Sequence, residues 1–312
     1  MSARHAPFPP LHRCLSVAVL AGCLVTPGAP AAAYRYKDNN GQWVYTDRLP
    51  ATPRTTASIA LGGLGDASPQ MVVVPRPTDR GIALVAVNAC QCTVEFAVQT
   101  ATAQGLRTGR AVVGPQSEVS LLDVPAVTAP SPVRYEYGYV VGEPNVEHRP
   151  ASPYRAPFAL GRQYTVTQAA PDELTHRDAS SRHAVDIAMP VGTAVHAARA
   201  GLVVNVARSH FRGGLDVAAL SEANFVQMLH DDGTYAIYAH LQMDTVRVRP
   251  GQHVARGEYV ANSGNTGFTS GPHLHFAVLR NAGLRSESLP VSFAGPGGVG
   301  VTPQRGRPLV AY

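Results

Sequence analysis

From Met71 onward the chain consists of short runs rich in β-branched residues, interrupted every few positions by glycine, proline or asparagine. The first six runs read "MVVVP", "IALVAVN", "TVEFAVQ", "RAVVG", "EVSLLDV" and "RYEYGYVVG". Runs of this length and composition bounded by turn formers are strands, and their close spacing predicts a β-sandwich-like accessory domain over residues 71–163. From Tyr164 to Phe293 the pattern stays β but changes character. "AVDIAMPVGTAVHAARAGLVVNV" reads strand, turn, strand, glycine, strand, and "VRVRPGQHVARGEYVANSGNTG" repeats that logic. The expectation is an all-β chain with a second β domain over 164–293. Its tail, 294–312, is rich in glycine and proline and is either a docked extended strap or a mobile end.

Residues 1–33 read as an export signal. Arg4 and Arg13 supply positive charge, "CLSVAVLAGCLV" is a short apolar core, and "TPGAPAAA" ends in small residues before Tyr34. The apolar run is too short to span a bilayer in the ordinary way, so no transmembrane span is expected in the mature chain. Two processing routes stay open: cleavage after Ala33, or lipidation of Cys23 within "LAGC", which resembles a bacterial lipoprotein signal. Both place the protein outside the cytoplasm, in the periplasm or cell envelope. "YRYKDNNGQWVYTDRLP", residues 34–50, alternates aromatic and polar residues around "DNNG" and predicts a hairpin. It resembles a small exported β-hairpin module found at the mature start of many proteobacterial envelope proteins, in which Trp43 serves packing or sugar stacking. Residues 51–70, rich in proline, threonine, alanine and glycine, read as a linker.

Charge narrows the partners. The full chain has 26 basic and 21 acidic residues, and losing Arg4 and Arg13 with the signal leaves 24 against 21. A balance of +3 with no Lys/Arg block excludes nucleic acid as an expected partner and suits an acidic polymer such as a cell wall. Outside the signal the cysteines are Cys90 and Cys92 in "NACQCTVEF". On a regular strand their Cα atoms would sit at the long limit of disulfide geometry, so the expectation is two small buried residues rather than a bridge. His148 in "NVEHRP" is expected to be a loop histidine facing solvent.

The chemistry gathers in the second β domain. "SGPHLHFAV" puts His273 and His275 two residues apart in a strand, so both imidazoles leave the same face. Asp186 lies in the apolar strand "AVDIAM", where an unpaired carboxylate is costly to bury. A divalent metal shared with histidines meets that demand, because imidazole nitrogen and carboxylate oxygen are ordinary zinc ligands and three of them leave a position open. Two upstream histidines compete to join it. His183, three residues before Asp186, would point to the opposite face of the same strand; His176, before the loop "RDASSR", can fold back over it.

The ordered set His176, Asp186, "YAHL" and "GPHLHF" resembles the lysostaphin-type (M23, LytM-like) zinc metallopeptidases, which cut peptide cross-links of bacterial cell wall. The resemblance implies an antiparallel β-sheet peptidase domain with an open groove and one Zn²⁺ per chain. Carried over by position, it implies His176, Asp186 and His275 as ligands and His240 and His273 as catalytic residues. The ten positions from His176 to Asp186 exceed the short spacing of the best-known members and resemble an exported subgroup with an inserted loop. Asn224, Tyr238 and the turn "GNTG" are candidate substrate contacts, the glycines allowing close approach of a peptide backbone. The implied partners are peptidoglycan peptide stems and an envelope regulator. A rival reading is a non-catalytic LytM-like activator of wall amidases, a role found in relatives that have lost metal ligands, whereas this chain retains the set.

Overall fold

The computed structural model describes residues 71–312, apart from 127–132, 172–174, 217–218 and 220. Of the residues before 71 it describes the backbone of four strands. Two of these, Ala32–Lys37 and Trp43–Thr46, pair antiparallel with Lys37 opposite Trp43, which is the expected hairpin. A third, Ala57–Ala60, pairs with the other edge of Ala32–Lys37, so the stretch read as linker contributes a strand. The Trp43 side chain and most of the expected signal lie outside the described residues.

The accessory domain is two antiparallel sheets. One contains Met71–Thr78, Gly81–Asn88 and Ser117–Pro125; the other contains Arg134–Val141, Val94–Thr102 and Gly105–Val113. Alternation along the strands aims Val94, Phe96 and Val98 inward, where they share a core with Leu84 and Ala86 of the opposite sheet. Cys90 and Cys92 are buried as expected but are bridged, with Cα atoms 5.1 Å apart. The reason is local. They sit in a bend between two strands, not on one, so the extended spacing of a strand does not apply. The buried Asn88 carboxamide shapes that bend, accepting from the Cys90 N–H at 3.0 Å and donating to the Cys92 carbonyl at 2.8 Å.

The C-terminal layer is one large antiparallel sheet. Its order is His253–Val254, Gly201–Ala207, Phe225–Leu229, Tyr235–Ala239, Leu274–Asn281, Val185–Ile187, Gln163–Gln168 and Pro308–Val310, with Ser286–Leu289 also paired to Leu274–Asn281. The tail therefore docks as an edge strand, burying Leu309 and Ala311. One face of the sheet, with Val185, Ile187, Leu274, Phe276 and Tyr238, packs on a second layer that includes Tyr154 and Phe158. The segment just before 163, expected to belong to the sandwich, thus fills the core of the C-terminal layer instead. On the opposite face Ala184, Val204, Tyr235, Ala277 and Leu279 merge with the sandwich core. A buried polar clamp fixes this junction: Glu95 accepts from the Asn281 side chain at 2.9 Å and the Leu284 N–H at 2.8 Å. Among the described residues, no helix is long and apolar enough to cross a membrane.

At the end of the sheet away from Asp186, His148 is half-buried, against expectation, with Nε2 3.0 Å from the Tyr154 hydroxyl. Nearby His230 is 3% exposed and donates Nδ1–H to the Ala200 carbonyl at 2.8 Å. Burial pushes its pKa down to about 4, with Arg199 assisting and the Ala200 bond, Asp232 and Asp231 opposing. In the unfolded chain the group titrates near the ordinary histidine value, so as pH falls from about 6.5 toward 4 the unfolded state takes up the proton first. The native state should lose up to about 3 kcal/mol over that window from this residue. Denaturant midpoints at pH 7 and pH 4.5 should fall less for His230→Gln than for the wild type; equal falls would remove His230 as the cause.

Candidate active site

The site is assembled along one row of the large sheet. Gln168 pairs with Asp186, Asp186 with His275, and His275 with Ala239, so four adjacent strands present one residue each in register. The row lies on the face that the sandwich covers farther along, where Ala184 and Ala277 sit two positions from Asp186 and His275. The accessory domain thus stops short of the site, and a groove of about 600 Å³ remains open over it.

Asp186 is the centre. Its Oδ2 lies 3.2 Å from His176 Nε2, its Oδ1 lies 2.9 Å from His275 Nδ1, and Oδ1 is 3.8 Å from His273 Nε2. Burial alone would raise its pKa, but the bonds to His176 and His275, with the fields of His275 and His273 when those rings are protonated, hold the carboxyl well below the usual carboxylate range. One ligand atom each from His176, Asp186 and His275 lies within 4.8 Å of the others, a set able to hold a metal ion. The structure brings together His176, Asp186, His240, His273 and His275. It leaves out His183, whose backbone N–H donates to Ser288 Oγ at 3.0 Å.

His240 reaches the site by an irregular route. It follows Ala239, which faces His275, so a regular strand would send it to the opposite face. Its φ of 61° breaks the alternation and turns the ring back into the groove, 4.6 Å from the His273 ring centre. A positive φ at a non-glycine residue is uncommon and costs energy, which the surrounding contacts must offset. The Thr266 carbonyl accepts His240 Nδ1–H at 2.7 Å, and the Gly271 carbonyl accepts His273 Nδ1–H at 2.8 Å. Both bonds fix the tautomer and leave Nε2 as a bare lone pair. Burial pushes the His240 pKa down to about 4, aided by His273 and His275 and opposed by the Thr266 bond and Asp186, so its ring is neutral at pH 7.

The candidate substrate contacts are placed differently. Tyr238 and Asn224 are both fully buried. Tyr238 belongs to the opposite face, where its hydroxyl accepts the Ala198 N–H at 2.8 Å. Asn224 braces the groove from behind: it accepts the His210 N–H at 2.9 Å, donates to the Leu241 carbonyl at 3.2 Å, and gives its own N–H to Thr266 Oγ1 at 3.0 Å. It thereby supports the turn whose carbonyl orients His240. The glycines of "GNTG" do permit close approach, but of the chain to itself. A Cβ on Gly264 would lie 2.5 Å from the Gln242 nitrogen, and one on Gly267 2.6 Å from the Ala223 Cβ. The exposed groove lining is instead Leu215, Phe268 and Pro272 on apolar surface and Thr167 and Thr175 on polar surface. Only the alternation of "YTVTQ" carried a signal for the polar residues; the loop residues carried none.

Residues 180–286 match the model of Peptidase family M23. The match includes Asp186, His240, His273 and His275 and begins four residues after His176, which rests on geometry alone. Among curated relatives, this chain is 37% identical over 94 residues to the peptidoglycan DD-endopeptidase ShyA of Vibrio cholerae serotype O1, covering 30% of this chain and 19% of that protein. It is 33% identical over 101 residues to lysostaphin of Staphylococcus simulans, covering 32% of this chain and 18% of that protein. A solved structure of the antimicrobial peptidase lysostaphin from Staphylococcus simulans aligns over 40% of this chain and 47% of its own at 27% identity, with a TM-score of 0.31. The matches span less than a fifth of these curated relatives.

Proposed function

We propose, from the match of residues 180–286 to the model of Peptidase family M23, that the chain is an exported zinc-dependent endopeptidase that hydrolyses peptide cross-links of peptidoglycan. The observation that carries this reading is the convergence of His176, Asp186 and His275 beside two further imidazoles with bare Nε2 atoms. Two histidines and one carboxylate suit Zn²⁺, and the buried His176 Nδ1, without a partner among the described residues, is the nitrogen left over when Nε2 serves as the ligand. One ion per chain, held by His176, Asp186 and His275, would supply Lewis acidity toward a carbonyl and would lower the pKa of water to near neutrality.

The remaining work falls to the chain. Hydrolysis joins a water oxygen to the carbonyl carbon, breaks the C–N bond and moves one proton from water to the leaving nitrogen. Nε2 of His240 or His273 takes that proton and returns it to the amine, while the other ring, when protonated, donates to the carbonyl oxygen as it gains charge. Left-handed geometry at His240 sets the two rings side by side, so both address the same bond. No HExxH glutamate occurs in the sequence, which leaves the imidazoles as the proton carriers.

Three observations support the cell-wall setting. Curated relatives over this segment are a peptidoglycan DD-endopeptidase and lysostaphin, the buried Cys90–Cys92 bridge suits an oxidising compartment, and the apolar segment before Tyr34 reads as a signal. The test is to incubate the mature, zinc-loaded protein with isolated wall and analyse the soluble products. Release of cross-link-derived peptides, abolished by a chelator and restored by zinc, is expected. A zinc-loaded chain that releases nothing but stimulates a wall amidase would replace this reading with the activator one.

A further inference from the structure

The first residue of the candidate ligand set stands on a long arm. Ten positions separate His176 from Asp186, and a free loop of that length would leave the imidazole many places to be. Hydrogen bonds within the loop remove that freedom. Asp178 begins a compact turn, its carbonyl accepting the Ser181 N–H at 3.0 Å and the Arg182 N–H at 2.9 Å, and the Ala184 N–H donates to the Ser181 carbonyl at 2.8 Å. The turn closes on one residue. Ser288 donates both its N–H and its hydroxyl to the Ala179 carbonyl, each at 2.8 Å, and its Oγ accepts the His183 N–H at 3.0 Å.

Strand order puts Ser288 where it can do this. Leu279 pairs with Tyr235 on one edge of Leu274–Asn281 and with Ser288 on the other, while His275 pairs with Ala239 and Asp186 on those same two edges. Ser286–Leu289 therefore lies on the same edge as Val185–Ile187, beside the loop that leads into it. His275 and Leu279 are an even number of positions apart, so Ser288 leaves the sheet on the face of Asp186 and His275. Ser288 is 3% exposed, and a hydroxyl so buried needs partners, which the loop backbone supplies. Upstream of His176, the Thr175 hydroxyl donates to Gln168 Oε1 at 3.0 Å, and Gln168 ends the strand Gln163–Gln168. His176 is thus strung between two fixed points.

Resting on the metal reading above, we infer that Ser288 is a positioning residue for the metal site: its hydroxyl closes the 178–184 turn and so holds the arm that presents His176 to Asp186 and His275. Ser288 does not line the groove. It acts by ordering in advance what a bound ion would otherwise have to order, and fixing one backbone residue changes an equilibrium constant by about 5–30-fold. Linkage makes the effect mutual, because a clamp that favours the ion is itself favoured by the ion.

The test measures zinc affinity by competition with a chromophoric chelator on the full mature chain, for wild type, Ser288→Ala and Ser288→Thr. Ser288→Ala should weaken zinc by about 5–30-fold, the cost of one released residue. Ser288→Thr keeps the hydroxyl and should stay within a few-fold of wild type. Amide exchange in the wild type gives a reading that needs no variant: the His183 N–H should exchange more slowly with zinc bound than without it. A residue that merely stabilised the fold would move neither zinc affinity nor the zinc dependence of that exchange. Wild-type affinity in a folded Ser288→Ala, or His183 exchange indifferent to zinc, overturns the assignment. Should Ser288→Ala fail to fold, the exchange comparison decides. A wild type that binds no zinc at all overturns the proposed function instead, so the two failures are distinct.

Discussion

Asp186→Asn is expected to empty the metal centre and stop hydrolysis together. The carboxylate accepts from two imidazoles with its two oxygens and is the only anion in the set with His176 and His275. An asparagine keeps the shape but is neutral and turns an NH₂ toward one of the nitrogens it should attract. Removing one partner from a buried charged cluster costs about 3–5 kcal/mol, which corresponds to roughly 10²–10⁴-fold in metal affinity. Zinc content after dialysis should drop from one per chain to a small fraction, and release of wall peptides should fall at least in proportion. A variant that keeps stoichiometric zinc and wild-type turnover would show that Asp186 is a structural carboxylate and that the metal reading is wrong.

His240→Ala and His273→Ala should behave in the opposite way, retaining zinc while losing turnover. Neither ring belongs to the three-residue ligand set, and each is oriented by a backbone carbonyl, Thr266 for one and Gly271 for the other. The loss expected for a positioned proton carrier is about 10²–10⁴-fold in kcat with KM little changed. The two losses should not add, because the rings stand 4.6 Å apart and serve one reaction. Single-turnover rates on a defined cross-linked peptide, measured beside zinc content, check this. If His240→Ala loses zinc, the division between holding the metal and moving the proton fails.

The parts of this site legible in the sequence were those fixed by strand parity. His273 and His275 had to share a face because alternation has a period of two, and Asp186 in an apolar strand had to find positive partners because an isolated buried carboxylate is not tolerated. The same parity argument set His183 aside. It would have failed for His240, whose place beside Ala239 predicts the wrong face and whose left-handed backbone corrects it. Asn224 and Tyr238 looked like groove residues from their neighbourhood in the chain, yet Asn224 is buried behind the groove and Tyr238 lies on the other face of the sheet, because burial depends on what lies across the sheet. Cys90 and Cys92 were misjudged for a related reason: the distance between residues i and i+2 is set by whether the chain is extended there, and Asn88 bends it.

By itself, the sequence determined an all-β chain and the residue types able to bind a metal and move a proton, since propensity and alternation act over a few neighbours. Only the tertiary structure decided that His176 joins Asp186 and His275 in a group able to hold a metal ion, that the sandwich covers one end of the sheet face and leaves the other open, and that Gln168 pairs with Asp186 in the same row. Strand neighbours are chosen by long-range packing of whole faces, and no local pattern records which strand will lie beside which.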